Sequence, residues 1–356
     1  MGLLRLWLAF EVLRSHATPM GNAWMPVGQA AVEAFFVLSG FAMSMVLEQK
    51  YGQDRRRFWT QRFIKLWPSY AMAALLCLAY ESWLRLAKNT GAGLMTELAA
   101  APSPSWQAWL LLGFSNLSLI GQDLLALLCL EPGSGALRAI SNPFLHPFPA
   151  SHFVVLPQAW SLSVEVSFYA LAPWYVRLSS RALVGIFILG ILLRWGLVAS
   201  GLPMDPWAFR LAPVELSTFS IGILSWRVFR SGAWQRPGLP PWLGSLSAWA
   251  LILAAPMAST NPLLQSLAMA LSSALALPWI FGAAKSQGWD RMLGDWAYPY
   301  YLLHILVALI GMDIAQTWSL TPRFWVLAPG CLLASALFWL AMRPPLAMLQ
   351  RRLLVG

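Results

Sequence analysis

Arg5 and His16 lie eleven residues apart in the first apolar segment of the chain. On a helix, eleven steps of about 100° return almost to the same face, roughly 16 Å further along. A cation then stands near one end of the segment and a titratable imidazole well inside it. An imidazole so held can take a proton from a hydroxyl. A carboxylate close to it would fix its tautomer and raise its basicity. An anchoring Arg and an interfacial His would give the same pair.

Glu165 is the carboxylate expected at a comparable depth. It follows Trp160-Ser161-Leu162-Ser163-Val164 near the start of its own apolar segment. There it either serves the imidazole or caps structure. Glu33 lies one to two turns into the apolar stretch 28–41 and needs a partner. Tyr298, Tyr301 and His304 recur three apart and share a helix face. Trp296 and Tyr298 could equally form an aromatic belt, while His304, mid-span, fits a structural or a functional role alike. Arg62 and Lys65 are also three apart, in a stretch, 55–68, that interleaves cations with aromatics. Their face suits a phosphate-bearing ligand or lipid head groups, and by charge alone lipid is the better fit. Ser39-Gly40, mid-segment, reads as a site of close helix packing. Cys77, Cys129 and Cys331 are too scattered for a disulfide framework or a metal site, and no metal is expected. No G-x-S-x-G elbow and no glycine-rich phosphate loop occurs.

Membrane helices must position these groups. The chain is 58% hydrophobic and only 11% charged, with a mean hydropathy of +0.60. Soluble domains rarely carry so few charges. The net charge of +10 reads as topology signal and contact with anionic lipid, not as nucleic-acid binding. The expected fold is all-α, a polytopic membrane protein with about ten spans, near 3–18, 27–48, 63–84, 162–178, 182–200, 208–227, 243–259, 262–283, 295–313 and 323–342. Seventeen of the 24 Lys and Arg fall on one side, among them Arg5, Lys50, Arg57, Arg181, Arg236, Lys285, Arg291 and Arg343. Arg138, Arg210 and Arg323 are among those on the other side or within spans. The bias predicts both termini in the cytoplasm. No cleavable signal peptide is expected. The Pro-rich connection 85–160 is then on the opposite side, either a structural lid or the cover of a functional mouth.

Taken together, these patches resemble the integral-membrane acyltransferase family 3, of the O-antigen-acetylase type. The resemblance rests on Arg5 with His16, Phe35-Phe36-Val37-Leu38-Ser39-Gly40-Phe41, Arg57-Phe58 with Arg62, Lys65, Leu66 and Pro68, Trp160-Ser161-Leu162-Ser163-Val164-Glu165 with Phe168-Tyr169, and Tyr298-Pro299-Tyr300-Tyr301-Leu302-Leu303-His304. Lys65 stands where the family usually has Arg, and Glu33 where Asp is common. The resemblance implies a membrane acyltransferase domain over 1–345 with a short cytoplasmic tail, 346–356. It implies transfer of an acyl group, most often acetyl, from cytoplasmic acyl-CoA to a hydroxyl of a carbohydrate or glycolipid acceptor across the bacterial cytoplasmic membrane. Arg62, Lys65 and Arg5 are then expected to meet CoA phosphates. His16 acts as general base with Glu165 orienting it or binding the acceptor, and an acyl-histidine is the less favoured variant. Glu33, Tyr298, Tyr301 and His304 are expected to bind substrate. A carrier or flippase for a lipid-linked sugar is the competing reading, and a scaffold that has lost catalysis is a third.

Overall fold

Apolar runs with no water to serve their amides must close their hydrogen bonds internally, and helices do so. The computed structural model describes residues 1–17, 26–52, 54–91, 93–235, 240–317 and 324–354. Arg236, assigned above to a loop, and Arg323, at the edge of the last expected span, lie outside them. Each of the ten expected segments is helical. They are α1 (Gly2–Ala17), α2 (Pro26–Val46, running on as a wider turn over Leu47–Tyr51), α3 (Arg55–Lys88), and, beyond the long connection, α6 (Trp160–Tyr175), α7 (Ser180–Ala199), α9 (Ala212–Ser231), α10 (Pro241–Ala254), α11 (Pro262–Ala284), α12 (Gly288–Thr317) and α13 (Phe324–Leu354). The connections supply α4 (Leu94–Ala100), α5 (Trp106–Ser118) and α8 (Met204–Trp207).

Among the described residues, six helices are long and apolar enough to cross a membrane: α2 with its extension, α3, α7, α11, α12 and α13. Of the other expected spans, α1 and α6 have 16 residues and α10 has 14. The fourth, α9, has the length but carries Glu215, Arg227 and Arg230. Burial separates centre from rim. In α2, 83% of the apolar window is buried, against 17% in α7. The centre is therefore α2, packed on α1, α9 and α11, while α7 turns Ile188, Leu189 and Leu192 outward as a lipid-facing helix would.

Close backbone approach makes that centre. A Cβ on Gly40 would fall 2.2 Å from the Phe219 carbonyl oxygen, and one on Gly222 2.0 Å from that of Val37. Glycine at both positions lets α2 and α9 touch main chain to main chain. A similar contact joins α1 to α12. Asp290 accepts from the amides of Gly2 (2.9 Å) and Leu3 (3.0 Å), capping α1 from a neighbouring helix.

The described residues of the connection 85–160 pack together as a cap. It holds α4, α5 and a small antiparallel hairpin, β1 (Leu128–Leu130) with β2 (Leu137–Ala139), an element not anticipated in an all-α chain. A separate core of Ala108, Leu112, Leu125, Leu130, Ala150, Phe153 and Val154 fills it. Buried polar contacts tie it down: Ser163 donates to Asp123 at 2.8 Å, and Asn116 takes the Val155 amide at 2.8 Å. Burial holds the Asp123 carboxyl above its ordinary range, against the opposing effect of the hydrogen bond from Ser163.

Candidate active site

Five helices bring their cations to one place. Near the start of α3, Arg62 and Lys65 face inward while Phe63 and Trp67 stack outward, ring centres 5.4 Å apart. The amphipathic stretch and the third span are one continuous helix of 34 residues. Near the start of α1 stands Arg5. The end of α11, the start of α12 and the last turns of α13 add Lys285, Arg291 and Arg343. In the expected tail, 346–354 continue α13, and Leu346, Ala347 and Gln350 line the cavity.

Together they line a cavity of about 790 Å³, within the usual range for a small-molecule site. Arg5, Arg62, Lys65, Lys285, Arg291 and Arg343 share it with the carboxylates of Asp290, Asp295 and Glu165. Among the described residues none of those six cations is in a salt bridge. Arg62 spreads over the rings of Phe58 and Tyr169, each 5.8 Å away, and its Nε has no partner. Guanidinium and ammonium groups without ion-pair partners around one hollow can bond the oxygens of an anionic ligand.

The inner end of the cavity is polar and aromatic. Glu165 accepts from the Ser39 hydroxyl at 2.5 Å and from the Tyr169 hydroxyl. Tyr298 lines the wall and donates to the Leu66 carbonyl at 2.9 Å. Tyr301 closes the end. It donates to the Gln158 carbonyl (3.0 Å), shares a 2.6 Å contact with the Ser161 hydroxyl, and sets its ring 6.0 Å from that of Phe35.

Two of the expected pairings differ. Glu165 points into the cavity towards Ser39 and Tyr169, and among the described residues it makes no contact with His16. The face of α6 that carries 165 and 169 meets α2, not the end of α1. Glu33 does not reach the cavity either. It is 1% exposed and held by Arg194, with Thr218 donating to it at 2.9 Å and Glu215 on the other side of the same guanidinium (2.9 Å). An intramembrane carboxylate needed a partner, and Arg194 on α7 is that partner.

His16 and His304 sit beyond Tyr301, outside the cavity wall. Their ring centres are 5.3 Å apart, and His304 is 5.6 Å from the Tyr301 ring. Arg210 acts on His16 electrostatically while bound to Asp205 and laid over Trp160 at 5.0 Å. Sequence reasoning missed Ser39, Tyr169, Ser161, Lys285, Arg291, Arg343 and Arg210 as site residues. Tyr169 carried a usable signal, four residues after Glu165 and so on its face. The cations of α11, α12 and α13 carried none, since their charge also serves topology.

A bundle of apolar helices around a cavity lined by cations and ending at polar side chains defines a polytopic membrane protein with a candidate site. The model for the acyltransferase domain of acyltransferase family 3 matches residues 2–343, and the chain belongs to that family. It is a membrane acyltransferase. The acyltransferase MdmB of Streptomyces mycarofaciens is 25% identical over 330 residues, which cover 82% of this chain and 73% of that protein. No solved structure matches.

Proposed function

We propose that the protein transfers an acyl group, most simply acetyl, from acyl-CoA to a hydroxyl of a carbohydrate or glycolipid acceptor, across the bacterial cytoplasmic membrane. The unpaired cations around the 790 Å³ cavity carry this reading. A coenzyme with several phosphates answers that charge, and no small neutral donor would. Arg62, Lys65 and Arg5 take phosphates at the cytoplasmic mouth, with Lys285, Arg291 and Arg343 beside them. The pantetheine arm runs inward past Tyr298 towards Glu165 and Tyr301.

His16 is the general base. The acceptor hydroxyl gives its proton to the imidazole, and its oxygen bonds to the acyl carbon. The carbon–sulfur bond breaks and the proton passes to the departing thiolate. Glu165 steadies the thioester end of the donor. Arg210, Asp205 and Trp160 offer the acceptor a charged and aromatic surface beside His16.

Substituting Arg62 or Lys65 by Gln tests the donor site. A charge-assisted contact is typically worth about 1.5–3 kcal/mol, so each variant should raise KM for acyl-CoA roughly tenfold or more. Unchanged acyl-CoA binding by calorimetry in both would assign the pair to lipid. Release of free CoA thiol by purified protein separates transfer from carriage, since a carrier releases none.

A further inference from the structure

His304 is fully buried, 0% exposed. Its Nδ1 lies 2.7 Å from the Tyr301 carbonyl oxygen. A carbonyl can only accept, so Nδ1 carries the hydrogen, and in the neutral ring Nε2 is left as a bare acceptor. That atom is buried without a hydrogen-bond partner. A buried unsatisfied nitrogen is costly and asks for a reason. The ring beside it is His16, at 5.3 Å between centres and 31° between planes. Stacked rings would lie closer. An end-to-end N–H···N bond of about 3 Å, plus the two ring radii, puts imidazole centres roughly 5 Å apart. The separation of the His16 and His304 centres matches that of such a pair.

The backbone holds this contact in register. Asp290 bonds the amide of Gly2 at a sequence separation of 288, and His16 and His304 have that same separation. Both histidines lie fourteen positions, two heptads, beyond the capped end of a parallel helix pair, which is the repeat that keeps one seam facing its partner. A Cβ on Gly2 would fall 1.6 Å from the Asp290 carbonyl oxygen, so the approach of the two helices is close from the start.

We infer that His304, with its tautomer set by the Tyr301 carbonyl, is the positioning residue of His16: its Nε2 accepts the N–H of one His16 nitrogen and so leaves the other as the base. The inference rests on the reading of His16 as general base. His304 takes the place that a carboxylate fills in a Ser-His-Asp arrangement, and Glu165 is not that carboxylate. In the reaction the hydroxyl proton goes to the free nitrogen of His16 and on to the thiolate. The hydrogen shared with His304 stays where it is.

The test compares His304→Gln, which keeps an acceptor at the position of Nε2, with His304→Asn and His304→Met, which do not. Single-turnover rates, KM for acetyl-CoA and thermal melts are measured in detergent, beside His16→Ala. The expected result is near-native kcat for His304→Gln. For His304→Asn and His304→Met kcat falls at least about tenfold with donor KM unchanged. Three variants that are alike, all active or all impaired, overturn the inference. A wild-type rate in His16→Ala sinks the base assignment itself, a different outcome from a dead His16→Ala beside three indifferent His304 variants. Carbethoxylation of the wild-type protein by diethyl pyrocarbonate needs no variant. A single adduct on His16 is expected, because one nitrogen is engaged, and a double adduct overturns the proposal.

Discussion

Removing the imidazole of His16 leaves the cationic mouth intact, so donor binding and acyl transfer should come apart. His16→Ala is expected to lower kcat by ~10²–10⁴-fold, the usual contribution of a positioned base, with acyl-CoA affinity and melting temperature close to native. Single-turnover transfer measured alongside calorimetry and a thermal melt checks it. A well-folded variant keeping more than about a tenth of the native rate is incompatible with that range. At this scale the sequence was readable in part. An intramembrane carboxylate or imidazole announces that it has a partner, but not which one. Glu33, expected to bind substrate, is held by Arg194 and Thr218, with Glu215 on the same guanidinium. Glu165 was set beside His16 from depth alone. Counting residues along a helix yields depth, while the direction in which 165 and 169 point depends on how α6 packs against α2.

The helices themselves were legible because hydropathy and period report burial directly, and each of the ten segments is helical. Crossings were not, since a glycine in an apolar run marks close approach without naming the helix that approaches. Gly40 was read as a packing position, and it is one, against Phe219 of α9. Gly222, its counterpart facing Val37, drew no notice. Putting a methyl group into this seam forces two backbones apart. Gly40→Ala and Gly222→Ala are each expected to destabilise by about 1–3 kcal/mol, the usual cost of overpacking. Thermal melts of the purified variants measure it. Because the seam holds Ser39 against Glu165, activity per folded molecule should fall as well. A variant with a native melting temperature would mean that the helices slide apart freely there.

For the whole molecule, direction in the membrane and the path between its two sides decide what the cavity serves. The cation bias predicts that 49–57 face the cytoplasm and 85–160 the opposite side. Cys77, Cys129 and Cys331 are all buried, which leaves a quiet background for labelling. An impermeant reagent on intact cells should modify a cysteine placed at Ser134, at the hairpin of the cap, and spare one at Arg56. The reverse pattern would invert the assignment of the donor mouth.

Charge bias is a property of the chain as a whole, so it could be read without coordinates. The contacts of Tyr301 are a property of three helices meeting. Tyr301 was singled out only as part of a polar stripe. In the fold it bears on the cavity and on His304 at once, pinned through its hydroxyl to Ser161 and Gln158 and packed against Phe35. On the proposed reaction the ring would screen a thioester at the inner end of the cavity from water until the acceptor hydroxyl reaches it beside His16. Water exclusion protects a reactive acyl donor until its acceptor arrives. Tyr301→Ala removes the ring as well as the hydroxyl and joins the two compartments. Release of CoA thiol without any acceptor should then rise well above the native background, while transfer to the acceptor falls. Tyr301→Phe keeps the ring and loses only the contacts to Ser161 and Gln158, so its leak should lie between the two. Thiol release followed with and without acceptor in proteoliposomes distinguishes these cases. If Tyr301→Ala hydrolyses acetyl-CoA no faster than the native protein, the barrier lies elsewhere along the wall.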